Sequence, residues 1–368
     1  MFLQNLHIIN YRNISQADID MSAGINCFIG QNGAGKTNLL DAIYYLSLCK
    51  SSFSVIDSQN IRHDEPFFVI QGEYDIDGTA ETIYCGVKRG QKKQFKRNKK
   101  DYQRLTDHIG LIPLVIIAPS DEQLIADSAE MRRRYADSVI SQCDREYLDV
   151  LMRYNKLVMQ RNALLKQMQD EPNPNVSLLD VYDVQLAQLG TTISKRRDQF
   201  VQWIAPVLEE LYQTISSGNE TVTLKYVSGL QRYDLYTGLV ESRQRDLALG
   251  YTSRGIHKDE IEFSLGEYQI RRVGSQGQRK SFVIALKLAQ YQYLINFNGR
   301  KPLLLLDDVF DKLDAQRGEN LINLVAQKDY NQIFISDTNE TRLRSVLEKV
   351  NKEYRIFYVD NGKISDNQ

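Results

Sequence analysis

The stretch from Gly30 to Thr37, Gly-x-x-x-x-Gly-Lys-Thr, has the composition and spacing of a loop that cradles nucleotide phosphates. Gly30, Gly33 and Gly35 let the backbone turn with its N–H groups facing phosphate oxygens, at the positive end of a helix dipole. Gln31, Asn32, Ala34 and Asn38 complete the candidate binding segment. Lys36 can reach the β- and γ-phosphates, and Thr37 can offer its hydroxyl to Mg²⁺. The chemistry this implies is binding of nucleotide phosphates with Mg²⁺.

A second cluster lies about 270 residues further on, where Leu303 to Leu306 run into Asp307 and Asp308. A run of aliphatics ending in two acids is a buried strand that delivers carboxylates at its C-terminal edge. Alone it is an ordinary strand end; beside a phosphate loop it acquires a role. Asp307 is then the acid that holds Mg²⁺ through its water shell, and Asp308 the one placed to orient or deprotonate an attacking water.

Just ahead of that strand, Gly274-Ser275-Gln276-Gly277-Gln278 forms a small glycine-containing turn that opens a helix. It is a second helix N-terminus able to face phosphate. Two such turns in one chain make sense if two copies sandwich two nucleotides, each loop facing the other copy's turn. Ser275, Gly277 and Gln278 are the candidate contacts.

These residues need a scaffold, and the pattern supplies an α/β one. Ile25 and Cys27–Ile29 form an apolar strand before the loop, and Leu39, Leu40 and Ile43 follow it at helical spacing. The opening FLQNLHIINYRNISQADIDM alternates as two half-buried strands, and FFVIQGEYDI and ETIYCGVKRG repeat the alternation around an Asp77-Gly78 turn. Residues 1–119 therefore read as the strand-rich N-terminal part of a head.

Residues 120–220 change to long helical patterning, with Leu148, Leu151, Tyr154, Leu157 and Val158 at three- and four-residue steps. Two prolines between Glu171 and Asn175 split it into a helical hairpin. Residues 221–368 read as the C-terminal part of the head: TVTLKYV, a hairpin around Gly266 running to Val273, a helix from about Gln278 to Ile295, then the acidic strand. The loop and the acids belong to one site only if the two ends of the chain fold together around the helical insertion.

Charge and cysteines narrow the class. The 368 residues carry a net charge of −1, and the four cysteines and four histidines show no metal-ligand spacing, as expected of a reducing, cytoplasmic chain without structural zinc. The apolar runs at 111 and 302 fall well short of the roughly 20 residues that cross a bilayer, and the N-terminus lacks a signal-peptide pattern. No membrane role is expected. One segment departs from neutrality: Lys88 to Arg104 holds nine Lys/Arg against one Asp. It reads either as a solvated hairpin or as a surface for nucleic-acid phosphates, with Lys92, Lys93, Lys96, Arg97, Lys99 and Lys100 the candidates.

The order of loop, helical insertion, SQGQ turn, LLLLDD strand and Leu313-Asp314 resembles the ATP-binding-cassette heads of structural-maintenance-of-chromosomes (SMC) type. NYRN at 10, GKTNLLDAIYYLS at 35, MRRRYAD at 131, YNKLVMQRNALL at 154, GIHKDEIEF at 255 and GSQGQRKSFVIALKLAQ at 274 are similar to the RecF family of that class. The resemblance spans nearly the whole chain. It implies an ATP-dependent homodimer of recombinational repair and replication, binding single-stranded, duplex or gapped DNA and helping RecO and RecR load recombinase. It also implies that Ser275 and Gly277 contact the γ-phosphate held by the opposite subunit, and that Asp314 sits at the dimer seam.

Two departures shape the expected activity. Most cassette ATPases carry Glu where this chain has Asp308, so hydrolysis is expected to be slow, below about 10 s⁻¹, in a switch rather than a motor. The strand QIFIS ends in Ser336-Asp337-Thr338, without the histidine of the transporter class, which leaves open whether Asp337 or Thr338 senses the γ-phosphate. Ser54 stands where many relatives carry Arg and is assigned nothing. His257 reads as structural, and Arg132, Arg133 and Arg134 as structural or interdomain contacts. The alternative function is a cassette ATPase subunit with no DNA role.

Overall fold

Every residue of Ile25–Ile29 is buried, as the middle strand of a parallel sheet must be. The structure, a computed structural model, describes residues 1–54, 56–218, 220–310, 315–327, 330–348 and 352–366. The chain divides into two compact units, one of Met1–Asp121, Thr214–Gly218 and Gln276–Gln368, the other of Glu122–Gln213 and Asn219–Ser275.

The first unit begins with β1 (Phe2–Tyr11), β2 (Ile14–Asp20), β3 (Ile25–Ile29) and α1 (Lys36–Leu48). It continues with β4 (Phe67–Ile76), β5 (Thr79–Lys88), β6 (Gln94–Arg97), β7 (Lys100–Asp101) and β8 (Leu114–Ile117). Asp77 and Gly78 join β4 to β5 with φ of 56° and 81°, the two positive values of a hairpin turn. Six of these strands form an antiparallel sheet in the order β2-β1-β4-β5-β6-β7.

The second unit holds α2 (Gln123–Ala126), α3 (Ala129–Ser141), α4 (Arg145–Gln169), most of α5 (Asp180–Ser216), β9 (Val222–Val227) and α6 (Leu235–Leu249). It closes with β10 (Glu260–Leu265), β11 (Tyr268–Gln269) and α7 (Ile270–Val273). A helical hairpin was expected here and is present, split where the prolines stand. Residues 221–275, assigned from their strand pattern to the C-terminal part of the head, fall in this helical unit as a sheet of their own, β11-β10-β9. Arg132 on α3 fastens that sheet by a two-pronged bond to Glu260, at 2.9 Å on both prongs. The second arm of the Gly266 hairpin is also shorter than expected, because the chain becomes helical at Ile270, whose side chain is buried.

The chain then re-enters the first unit with α8 (Gln276–Asn298), β12 (Leu303–Asp307), α9 (Ala315–Gln327), β13 (Ile333–Asp337), α10 (Glu340–Leu347), β14 (Tyr354–Asp360) and β15 (Lys363–Asp366). The second sheet of this unit runs β15-β14-β3-β13-β12-β8, parallel throughout except for the β14–β15 hairpin. N- and C-terminal strands thus interleave in one sheet, which is how a loop after β3 and acids after β12 reach the same edge. Leu39, Leu40, Ile43 and Leu46 of α1 share a core with Leu6, Ile8 and Phe68 of the antiparallel sheet and with Leu305 and Phe334 of the parallel one. Burial of α1 on nearly all sides explains why its apolar residues are not confined to one stripe.

Candidate nucleotide site

The C-terminal ends of β3, β13 and β12 lie side by side, with Ser336 paired to Phe28 on one side and to Asp307 on the other. In a parallel sheet this edge is where ligands bind. The loop that leaves β3 has Gly33 and Gly35 at φ of 81° and 119°, a region costly for residues with a Cβ. Gly30 is required for a different reason: a Cβ there would stand 2.2 Å from the Val359 carbonyl oxygen of β14.

Gln31, Asn32 and Gly33 are exposed at the tip of the loop, and Ala34, Gly35 and Lys36 are buried at its base. Thr37 and Asn38, half-buried, open α1, whose amino end carries no side-chain cap. Its first N–H groups are therefore available to an anion. Lys36 Nζ donates to the carbonyls of Gly30 and Gln31 at 2.9 and 3.2 Å and lies 3.9 Å from Asp308 Oδ1.

The two distant motifs meet at one bond. Thr37 Oγ1 donates to Asp307 Oδ1 at 3.0 Å. Ser336 Oγ donates to the same oxygen at 2.6 Å and accepts from the Asp308 backbone N–H at 3.0 Å. Burial pushes the Asp307 carboxyl above the usual carboxylate range; donation from Ser336 and Thr37 opposes this, the Asp308 charge adds to it and Lys36 subtracts. A cation beside Asp307 would favour its charged form. Thr37 and Asp307 fit Mg²⁺, which takes one or two protein ligands and fills its shell with water and phosphate. The described residues hold no cluster of three His, Cys, Asp or Glu suited to a metal, as such a site requires none.

Asp308 itself has φ of 45°, an uncommon left-handed conformation. Its N–H is strapped to both the carbonyl and the hydroxyl of Ser336. Asp337 is fully buried and accepts from Arg342 Nη2 at 2.6 Å and from the Asn339 N–H at 2.8 Å, so α10 occupies its carboxylate.

The Ser275 turn belongs to another element. Helix α8 starts at Gln276, two residues earlier than expected, so Gly277 and Gln278 lie inside its first turn and Ser275 stands exposed just before it. A Cβ on Gly277 would stand 2.0 Å from Arg317 Nη1. Leu313 and Asp314 lie outside the described residues.

Other flagged residues have structural partners. His257 bonds the Tyr154 hydroxyl and the Thr252 carbonyl through its two ring nitrogens, each at 3.0 Å. Arg133 donates to the Asp259 carbonyl, and Arg134 pairs with Glu130 one helical turn away. Within the basic segment, Lys93 is bound by Asp57, Tyr45 and the Cys49 carbonyl, and Arg97 clasps Glu81. Lys88, Lys92, Lys99 and Lys100 are exposed, with Lys96 half-buried over the Tyr84 ring.

The RecF/RecN/SMC N-terminal domain family matches residues 2–365. The chain is 51% identical over 367 residues to the DNA replication and repair protein RecF of Bacteroides fragilis, covering 100% of this chain and 98% of that one. This chain belongs to the RecF family. A solved RecF structure, of the recombination mediator protein with ATP in the RecFOR pathway, is 28% identical with a TM-score of 0.89, covering 100% of this chain and 98% of that chain. An SMC head domain from Pyrococcus furiosus, 15% identical with a TM-score of 0.59 over 100% of this chain and 96% of that one, shares the fold. The fold class read from sequence, an α/β SMC-type ATPase head with inserted helices, is the one found.

Two organising residues of this RecF-family chain carry little signal in the sequence. Ser336 couples the two acids, yet a serine after an apolar strand carries no signal of its own. Asp41, fully buried on α1, accepts from Tyr11, Ser51 and Ser52 and pairs with Arg12 at 3.3 Å. Its clue was a carboxylate on a helix otherwise buried and apolar.

Proposed function

We propose that this chain is an ATP-binding, DNA-binding repair protein, a slow nucleotide switch acting in a RecFOR-type pathway with RecO- and RecR-like partners. The observation that carries the reading is the 3.0 Å bond between Thr37 and Asp307, which unites the phosphate loop and the acidic strand. Membership of the RecF family and the likeness to RecF with ATP support it.

Each residue then has a role. The glycine loop up to Gly35 and the first N–H groups of α1, at Lys36 and Thr37, face the β-phosphate, while Asn38 holds the loop through Asn13. Lys36 exchanges the Gly30 and Gln31 carbonyls for phosphate oxygens, and its buried stem limits where the charge can go. Thr37 and Asp307 would hold Mg²⁺, which when bound would supply positive charge to the phosphates. Asp308 receives the proton of the attacking water. Its side chain, one methylene shorter than Glu and 3.9 Å from the lysine ammonium, reaches less far toward a water, in keeping with slow turnover. Ser275, Gly277 and Gln278 complete the site of a second copy in an ATP-dependent homodimer, and DNA meets the exposed lysines of the β6–β7 hairpin.

Binding of a fluorescent ATP analogue and phosphate release test this directly. Wild type binds in Mg²⁺ and turns over below about 10 s⁻¹. Lys36→Ala loses binding, Asp308→Asn keeps binding and loses turnover, and Ser275→Arg keeps binding and loses ATP-induced dimerisation. Absence of binding by wild type, or unchanged turnover in Asp308→Asn, contradicts the reading.

A further inference from the structure

The phosphate loop is gripped from behind by two parts of the chain with no phosphate chemistry of their own. Arg12 and Asn13 form the turn between β1 and β2, where Tyr11 pairs with Ile14. Asn13 Nδ2 donates to the Ala34 carbonyl at 3.0 Å, and Asn13 Oδ1 accepts from Asn38 Nδ2 at 2.7 Å. The second part is the turn of the β14–β15 hairpin, where the Gly362 N–H donates to the same Ala34 carbonyl at 2.8 Å.

Two glycines are needed for this grip. A Cβ on Gly35 would stand 2.8 Å from Asn13 Oδ1, and one on Gly362, whose φ is 78°, would stand 2.3 Å from the Asn13 carbonyl oxygen. Asn13 is thus approached closely through its side chain by Gly35 and through its backbone by Gly362.

Ala34 O has two lone pairs and receives two donors, so the direction of that carbonyl is fully specified. The peptide bond is planar and trans, so the N–H of Gly35 must point the opposite way from the Ala34 carbonyl. Holding the oxygen against Asn13 and Gly362 turns the Gly35 N–H to the other side of the loop. A loop so held does not have to be ordered by its ligand.

We propose that Asn13 and the Gly362 turn form a latch that presets the phosphate loop, making both positioning residues for nucleotide binding and coupling the C-terminal hairpin to the nucleotide. The proposal rests on the reading of Gly30–Thr37 as the ATP site. Because coupling is reciprocal, nucleotide must in turn steady the hairpin.

The test measures affinity for a fluorescent ADP analogue in wild type, Lys36→Ala, Asn13→Ala and Asn13→Asp, alongside thermal unfolding without nucleotide. Asn13→Ala, which removes the bonds to both Ala34 and Asn38, weakens binding about tenfold, while the midpoint of the free protein moves by only a few degrees. Asn13→Asp keeps an acceptor for Asn38 but cannot donate to Ala34, and weakens binding at least as much. Hydrogen exchange in wild type supplies a readout independent of any variant: addition of ADP slows exchange at Asn361–Lys363. Wild-type affinity in Asn13→Ala, or hairpin exchange unaltered by bound nucleotide, overturns the latch while leaving the ATP site intact. Failure of wild type itself to bind overturns the underlying reading.

Discussion

Ser336 Oγ lies 2.6 Å from Asp307 Oδ1, on the carboxylate oxygen that also receives the Thr37 hydroxyl at 3.0 Å. Because Ser336 accepts from the Asp308 N–H as well, one hydroxyl on the neighbouring strand sets the spacing of both acids. Ser336→Ala should therefore lower turnover about tenfold, with a smaller loss of ATP affinity, since Thr37 still reaches Asp307. Phosphate-release rates against ATP concentration separate the two effects. An unchanged maximal rate would show that the acids position themselves.

The helical unit contains a different kind of carboxylate pairing. Arg161, fully buried on α4, donates to Asp183 of α5 and Asp246 of α6, both at 2.7 Å, and to Thr252 at 2.9 Å. Removing one partner leaves a charge buried and underpaired, so Asp246→Ala should cost about 3–5 kcal/mol. The exposed Arg254–Glu241 pair is the contrast, and Glu241→Ala should cost less than about 1 kcal/mol. Denaturant unfolding of both variants, followed by circular dichroism, measures the difference.

Two histidines make stability depend on pH. Burial lowers His108 to about 4, partly opposed by its bond to the Leu46 carbonyl. His257 is also lowered to about 4 by burial, with Lys258 and Arg133 adding and the Thr252 carbonyl opposing. In the unfolded chain histidine titrates near 6.5, so between about 6.5 and 4 the unfolded state binds more protons and the folded state loses ground as pH falls. The loss is about 3 kcal/mol for fully buried His108 and less for half-buried His257. Asp259 and Asp307, raised by burial, bind protons more readily when folded and offset part of it. Urea midpoints at pH 7.5, 6 and 5 should fall in that order, and His108→Gln should flatten the fall.

The basic hairpin divides into spent and available charge. Lys93 and Arg97 are bound internally, so replacing them with Glu would damage the fold and say nothing about DNA. Lys92, Lys96, Lys99 and Lys100 are the informative set. Their joint replacement by Glu should weaken DNA binding and flatten its salt dependence, with the thermal midpoint nearly unchanged. Equal affinity at every salt concentration would move the DNA surface elsewhere.

The site was legible where chemistry forces residue types together. Gly30 to Thr37 and Leu303 to Asp308 each join an apolar strand to the groups that must stand at its end, and both lie where that logic places them. Tertiary partners were not legible. Nothing in TVTLKYV says which helices will cover its apolar face, and β9–β11 accordingly fall with α3–α6. Lys93 and Lys99 look alike in a basic run, and only folding brings Asp57 to one of them. The positive φ of Asp308 and the two donors on Ala34 O are likewise backbone facts that side-chain types do not encode.

The central claim is that nucleotide at the Thr37–Asp307 junction governs engagement of DNA. Fluorescence anisotropy of labelled single-stranded, duplex and gapped DNA, titrated at fixed salt with and without ATP and Mg²⁺, tests it most directly. The account predicts tighter binding of at least one of these DNAs with MgATP, and no tightening in Lys36→Ala. Identical binding with and without MgATP, or no binding in either state, would contradict it.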